Sequence, residues 1–256
     1  MIHSTAIIAD DARIHESVEI GPYAVIGEGV EIGAGTRIGP HVVLRGPTVI
    51  GRDNHIFQFA SVGDAPQDKK YAGEPTRLVI GDRNIIRECV TINRGTAQDR
   101  GVTEIGNDNL IMAYAHVAHD CVLGSNIILA NSVALAGHCQ VGDWAIFGGF
   151  SGLHQFCRAG PHCFLGKYAG VSQDVPAYLM VGGTPPGPRG VNAEGLKRRG
   201  FSAEQIANIR HAYKLLYRSG LKLAEAQAEI EKLAATQPEL EAFAASIRDS
   251  ARSIIR

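Results

Sequence analysis

The sequence predicts an all-β solenoid followed by a small helical domain, and three observations carry that prediction. Apolar residues recur at every sixth position over long stretches. Glycine often follows the apolar residue, and a small residue usually fills the fifth place of the hexad. Beyond residue 190 the period changes to that of a helix.

Stepping by six from Ile8 gives Ile14, Ile20, Ile26, Ile32, Ile38, Leu44, Ile50, Ile56 and Val62. The phase breaks and returns at Ile80, Ile86 and Ile92. It breaks again and resumes one residue out of step at Ile105, then holds through Val171. With 45% apolar residues, a run of twelve such positions arises by chance in roughly one case in ten thousand, so the repeat decides the fold. A period of six fits neither a helix nor an alternating strand. It fits a short strand plus a corner, with one large and one small inward residue per hexad (Ile14 and Val18, Ile20 and Ala24), which describes a parallel β-helix. The pattern resembles the left-handed kind, in which three hexads complete a coil of eighteen residues.

The solenoid is expected over residues 1–181. Residues 63–78 and 93–104 are polar and rich in Gly and charge, so they are expected to project as loops. Residues 182–190 read as a Gly/Pro linker and 191–256 as the helical domain. Ser202 and Gln205 match a capping box ahead of Ile206, Ile209 and Leu216. A second helix is expected near 224–235, and a third near 238–252 with Pro238 in its first turn.

Composition excludes several functions. Among 256 residues, 25 Lys+Arg face 26 Asp+Glu, for a net charge of −1, which argues against a nucleic-acid coat. No apolar run approaches the ~18–20 residues that span a bilayer, so no stable membrane insertion is expected. The N-terminus has no basic segment leading into an apolar one. Five cysteines without an export signal read as reduced thiols in a cytoplasmic protein.

The eighteen-residue coil stacks Cys121, Cys139 and Cys157 as an inward ladder of small core residues. It also stacks Asp120 beside His138, and Gly137 between His119 and Gln155, with His154 next to that column and His116 flanking the corner. Four histidines and a carboxylate thus converge on one outer patch. A neutral imidazole oriented by a carboxylate is a suitable general base, and a Gly N–H can stabilise an oxyanion. No Ser or Cys nucleophile pairs with them, so direct acyl transfer to a substrate hydroxyl or amine is the chemistry suggested. A rival reading borrows His116, His119 and His138 to hold a zinc ion that activates water. Another is a non-catalytic solenoid, which leaves the charged loops and the His patch unexplained.

The segments QDKKYAGEPTR (67–77), IRECVTINRGT (86–96), NLIMAYAHVAHDC (109–121), LAGH (135–138), HQFC (154–157), QDVP (173–176) and GVNAEGLKRRGFS (190–202) resemble those of bacterial UDP-N-acetylglucosamine O-acyltransferases over essentially the whole chain. The resemblance implies transfer of a 3-hydroxyacyl chain from acyl carrier protein to the 3-hydroxyl of UDP-N-acetylglucosamine, the first step of lipid A synthesis. It also implies a homotrimer with sites between subunits and no cofactor. His119 would be the base, Asp120 its partner and Gly137 the oxyanion donor. Asp68 and Lys70 would hold the sugar nucleotide, and His116, His138, His154 and Gln155 would line the sugar and thioester site. Asn192, Glu194, Arg198 and Arg199 would meet uridine and phosphate. Asn93 stands where the family commonly has His, a change expected to be peripheral. A related N-acyltransferase carries an additional N-terminal domain, for which a chain entering hexads at residue 8 leaves no room.

Gly149 and Lys167 share a column on neighbouring coils. Gly149 leaves a gap and Lys167 lies one coil further on, so the resemblance makes them the acyl groove and its ruler. Between residues 197 and 222, seven basic residues face one Glu, a local excess of +6. Arg210, Lys214, Arg218 and Lys222 repeat every four residues as one face of a helix and its exit, the expected dock for an acidic carrier protein.

Overall fold

The computed structural model describes all 256 residues. The hexads form a three-sided prism of parallel strands. The first face begins with Ile7–Ile8 and ends with Gly170–Val171, nine strands in all. The second runs from Arg13–Ile14 to Arg158–Ala159 in eight strands, and the third from Glu19–Ile20 through Phe164–Leu165. Most strands are two residues long. A two-residue strand is marginal alone, so the prism is held by stacking. Ile111, Leu129, Phe147 and Leu165 pair in register along one face and are fully buried.

The corners explain the rest of the pattern. The residue just before the small inward one adopts the left-handed conformation, as at Asp120 (φ 58°), His138 (φ 64°), Trp144 (φ 62°) and Tyr168 (φ 63°). That region is uncommon for residues other than Gly, and here the hydrogen-bonded stack imposes it. The glycine at the second place answers a different demand. A Cβ on Gly106 would stand 2.5 Å from the Gly124 carbonyl oxygen on the next coil, so it is proximity that excludes a side chain. Cys121, Cys139 and Cys157 are fully buried in one column, as the spacing predicts. Burial pushes the Cys157 thiol up. Cys139 is pushed up further, by its contact with Cys121 and by burial.

Register accounts for the breaks in phase. Ser61 pairs with Thr91, 30 residues on rather than 18, a surplus of 12. Thr91 pairs with His116, 25 residues on, a surplus of 7. Twelve is two hexads and keeps the phase, whereas seven is one hexad plus one and shifts it. The loops are shorter than the sequence suggests. Residues 63–64 and 77–78 belong to strands Ser61–Asp64 and Arg77–Ile80, and Val102–Ile105 is a strand as well. Both loops, 65–76 and 94–101, leave the first face and rejoin the second, so they spring from the same corner of the prism.

The Gly/Pro stretch is not a linker. Leu179–Gly182 extends the third face, and Gly187–Val191 returns antiparallel to it as the terminal strand. Pro185 and Pro186 fall in the turn, and Pro188 lies on the sheet edge, where a missing N–H is tolerated. The helices follow: α1 (Ala193–Arg198), α2 (Ala203–Tyr217), α3 (Leu223–Ala234) and α4 (Glu241–Arg248). The capping box of Ser202 and Gln205 is formed in both directions. Pro238 opens a short 3-10 turn before α4, which ends earlier than its apolar pattern suggests because Asp249 closes it and the chain turns back. Ile254 then bridges to Asp174 and is buried. The helical end and the prism thus share one apolar core. No helix is long and apolar enough to cross a membrane.

Candidate active site

The corner between the first and second faces carries the histidine patch. His119 and Asp120 follow the strand His116–Val117, and the same corner one coil on carries Gly137 and His138. The next coil contributes His154, Gln155 and Phe156. The side chains stack as the repeat dictates. Gly137 lies against the His119 ring so closely that a Cβ would meet its Cε1 at 2.6 Å and Nε2 at 2.7 Å. His138 stacks on Phe156 with centroids 4.3 Å apart and meets His119 edge-on at 4.9 Å. His138 Nδ1 is 3.9 Å from an Asp120 oxygen.

Asp120 is buried and fully engaged. Its carboxylate accepts from the Thr96 N–H (3.0 Å), from Thr96 Oγ1 (2.6 Å) and from His119 Nδ1 (2.9 Å). Burial alone would raise its pKa, but the hydrogen bonds from His119 and Thr96 outweigh it and hold the group below its usual value. An ionised carboxylate can only accept, so His119 Nδ1 carries the proton and Nε2 keeps its lone pair. The backbone of Asp120 is pinned too, its N–H donating to Thr103 Oγ1 at 2.8 Å.

The Gly137 N–H has no acceptor. At the equivalent place of the next corner, the side chain one coil on accepts from that N–H: Asn107 donates to Ser125 Oγ at 3.0 Å, and Ser125 to Asp143 at 2.7 Å. Gln155 makes no such bond to Gly137.

A groove of about 610 Å³ runs along this edge of the first face. His116, Ala134, Gly152 and Gly170 form its floor in register, three small residues beyond a histidine. His119, Gly137, His154 and Gln155 form its rim, and Gln67 reaches it from the first loop. His116 Nδ1 bonds Thr91 Oγ1 at 2.7 Å, and its pKa is lowered by burial and by the nearby His119. Asp68 accepts from the Lys70 N–H at 3.0 Å within the first loop, which Arg94 anchors through Tyr71 and the Gly63 carbonyl. Asn93 is not peripheral to that loop. It is buried and donates to the Ala65 carbonyl at 3.0 Å, tying the loop's root to the wall.

The other sequence-derived residues lie elsewhere on the prism. Asn192 caps α1, accepting from the Gly195 N–H and donating to the His162 carbonyl. Arg199 donates to His162 Nδ1 at 3.2 Å and lies over Trp144. These residues occupy the corner between the second and third faces, with Glu194 and Arg198 exposed on α1 nearby. Burial and Arg199 push the His162 pKa down to about 4. Gly149 and Lys167 belong to the remaining corner, between the third and first faces, where Lys167 is exposed with its ammonium over the Tyr168 ring at 4.7 Å. Arg210, Lys214 and Arg218 are exposed along α2 and its cap, without carboxylate partners. Lys222 lies beyond the exit of α2. It follows a turn and caps α3.

The ligand atoms of His119, Asp120 and His138 lie within 4.8 Å of one another, a set that could hold a metal in principle. Both ring Nδ1 atoms are bonded to carboxylates, so the Nε2 atoms are what the rings could offer a cation, and Asp120 is already engaged by Thr96 and His119. His116, the third ligand of the zinc reading, lies outside that set and bonds Thr91 through Nδ1.

Comparison with known proteins decides what this geometry belongs to. A curated acyl-[acyl-carrier-protein]–UDP-N-acetylglucosamine O-acyltransferase of Thiobacillus denitrificans is 58% identical over 255 residues, covering all of this chain and 99% of the relative. This chain belongs to the UDP-N-acetylglucosamine O-acyltransferase family. The family's second-domain model matches residues 174–255, and the bacterial transferase hexapeptide model matches 11–46 and 103–137. The solved UDP-N-acetylglucosamine acyltransferase of Francisella novicida superposes with a TM-score of 0.99 at 49% identity, over all of this chain and 94% of that one. The Arabidopsis acyltransferase aligns along the full length of both chains at 36% identity with a TM-score of 0.86. The likeness extends along the whole path, so the solenoid is the left-handed parallel β-helix of this acyltransferase family.

Proposed function

We propose that the chain transfers a 3-hydroxyacyl group from acyl carrier protein to the 3-hydroxyl of UDP-N-acetylglucosamine, at the corner built by His119, Asp120 and Gly137. The observation that carries this reading is the pairing of a base with a donor. His119 presents a lone pair at Nε2 because Asp120 holds the proton at Nδ1, and Gly137, whose N–H is unclaimed, lies against the same ring. His119 Nε2 takes the proton of the sugar hydroxyl while the oxygen attacks the thioester carbonyl carbon. The carbonyl oxygen becomes an oxyanion and accepts from the Gly137 N–H. The carbon–sulfur bond then breaks, and the proton passes from His119 to the departing thiol. No covalent enzyme intermediate is needed, and the buried cysteines offer no nucleophile.

His116, His138, His154 and Gln155 would contact sugar and thioester, with Asp68 and Lys70 closing over the sugar nucleotide from the first loop. Asn192, Glu194, Arg198 and Arg199 would take uridine and phosphate, a role that suits guanidinium groups. These groups occupy a different corner from His119. One site containing both sets needs a neighbouring copy, and the third corner supports that assembly. There Tyr23, Phe59, Tyr114, Phe150 and Tyr168 form an edge of aromatic side chains, each more than half exposed, which a homotrimer would cover. Lys167 on that edge would reach the acyl groove from Gly149. Arg210, Lys214, Arg218 and Lys222 would meet the acidic carrier protein. Five free cysteines fit a cytoplasmic enzyme.

The test is to incubate purified protein with UDP-N-acetylglucosamine and a panel of 3-hydroxyacyl carrier proteins. Mass spectrometry should find a monoacylated sugar nucleotide bearing an ester. Absence of that product with every donor would refute the reading.

A further inference from the structure

The loop 94–101 reaches the histidine corner twice. Thr96 binds Asp120, and three residues on, Asp99 Oδ2 lies 2.6 Å from His138 Nδ1. The second contact has no place in the scheme above. His138 is held by Phe156 against one face and by the edge of His119. Packing of that kind fixes the ring plane but not which edge carries nitrogen, nor which nitrogen carries the proton. Asp120 cannot decide it, being 3.9 Å away and already saturated by Thr96 and His119. Asp99 can. Its carboxylate accepts from Nδ1–H and leaves Nε2 as the ring's remaining polar atom.

We propose that Asp99 is a positioning residue that acts through His138, fixing its ring orientation and Nδ1–H tautomer. His138 then presents Nε2 as the acceptor for an O–H or N–H of the sugar nucleotide. The inference rests on the acyltransferase reading for the identity of that ligand, not for the contact itself. Asp99 stands on the loop rather than the wall, and its side chain is 39% exposed. Its removal opens no core cavity, and a purely structural role predicts little effect.

A double-mutant cycle separates the roles. Asp99→Ala should lower kcat/KM for the sugar nucleotide about tenfold, the scale on which outer-shell partners of a working imidazole act. Asp99→Asn keeps an accepting oxygen and should recover most of that loss. Asp99→Ala combined with His138→Ala should be no slower than His138→Ala alone. Multiplying losses in the double variant, or an Asp99→Ala enzyme retaining more than half of its activity, would overturn the proposal. Ring nitrogen-15 shifts of histidine-labelled protein, with His138→Ala supplying the assignment, give a readout that needs no turnover. A protonated Nδ1 at His138 that becomes a tautomer mixture in Asp99→Ala is the expected result, and unchanged shifts contradict it. If the wild type acylates no UDP-N-acetylglucosamine, the proposed function fails while these shifts still decide the role of Asp99.

Discussion

At Gly137 one missing side chain meets a packing demand and, on the proposed reading, a chemical one. Its Cβ would collide with the His119 ring, so Gly137→Ala must displace the imidazole or the Gly137 N–H. A loss of more than about tenfold in kcat with little change in melting temperature is expected, because misplacing a base or an oxyanion donor costs rate rather than burial. His119→Ala should lower turnover by about 10²–10⁴-fold with assembly intact, and retention of more than a tenth of the rate, in either variant, would remove these roles. Lys167 poses a finer question. If a neighbour covers its corner, the four methylenes shorten the acyl groove while the ammonium turns to water, favouring donors of roughly ten to twelve carbons over fourteen. Lys167→Gly should shift preference to longer chains, and identical profiles across ten-, twelve- and fourteen-carbon donors would deny it the role of ruler. His162 gives a pH signature. Unfolded, it protonates near 6.5; folded, near 4. Acidification from 6.5 to 4 therefore adds a proton to the unfolded chain first and lowers stability. The melting temperature of the wild type should fall relative to that of His162→Gln across that window, and parallel curves would contradict the assignment.

Elements differ in how openly the sequence declares them. Every hexad was legible, because each coil makes the same demand at the same place: Ile or Leu inward, a small residue behind it. Coil arithmetic alone therefore brings His119, Asp120, Gly137 and His138 together. It could not find Thr96, Thr103, Asp99 or Gln67. Three of these sit on or beside inserted loops, whose path no period constrains, and Thr103 lies where the second loop returns to the wall. The hairpin over 179–191 is not legible in the sequence, because Gly and Pro mark turns and an edge strand tolerates them without an alternating pattern. Helix α1, six residues long, is too short for a helical period to show. On α2 the basic face is real as far as Arg218, where the helix stops. Reversing charge at Arg210, Lys214 and Arg218 should raise KM for acyl carrier protein far more than for the sugar nucleotide, and the gap should close at high salt. An unchanged carrier-protein KM at low salt would remove the docking surface.

On the proposed reading, the prism as a whole distributes the machinery over three corners: base and oxyanion donor on one, nucleotide ligands on a second, the acyl ruler on the third. A rigid stack of coils cannot fold these corners together, so the account depends on neighbouring copies completing each site. Co-expression of His119→Ala and Arg199→Ala chains under different tags tests this directly. Each variant alone lacks one half of every site. In a mixed trimer one intact His119 corner faces one intact Arg199, giving a single complete site of three. Random assembly makes about three-quarters of trimers mixed, so activity should return to roughly a quarter of wild type. Mixed trimers that form, carry both tags and remain inactive would contradict the shared site.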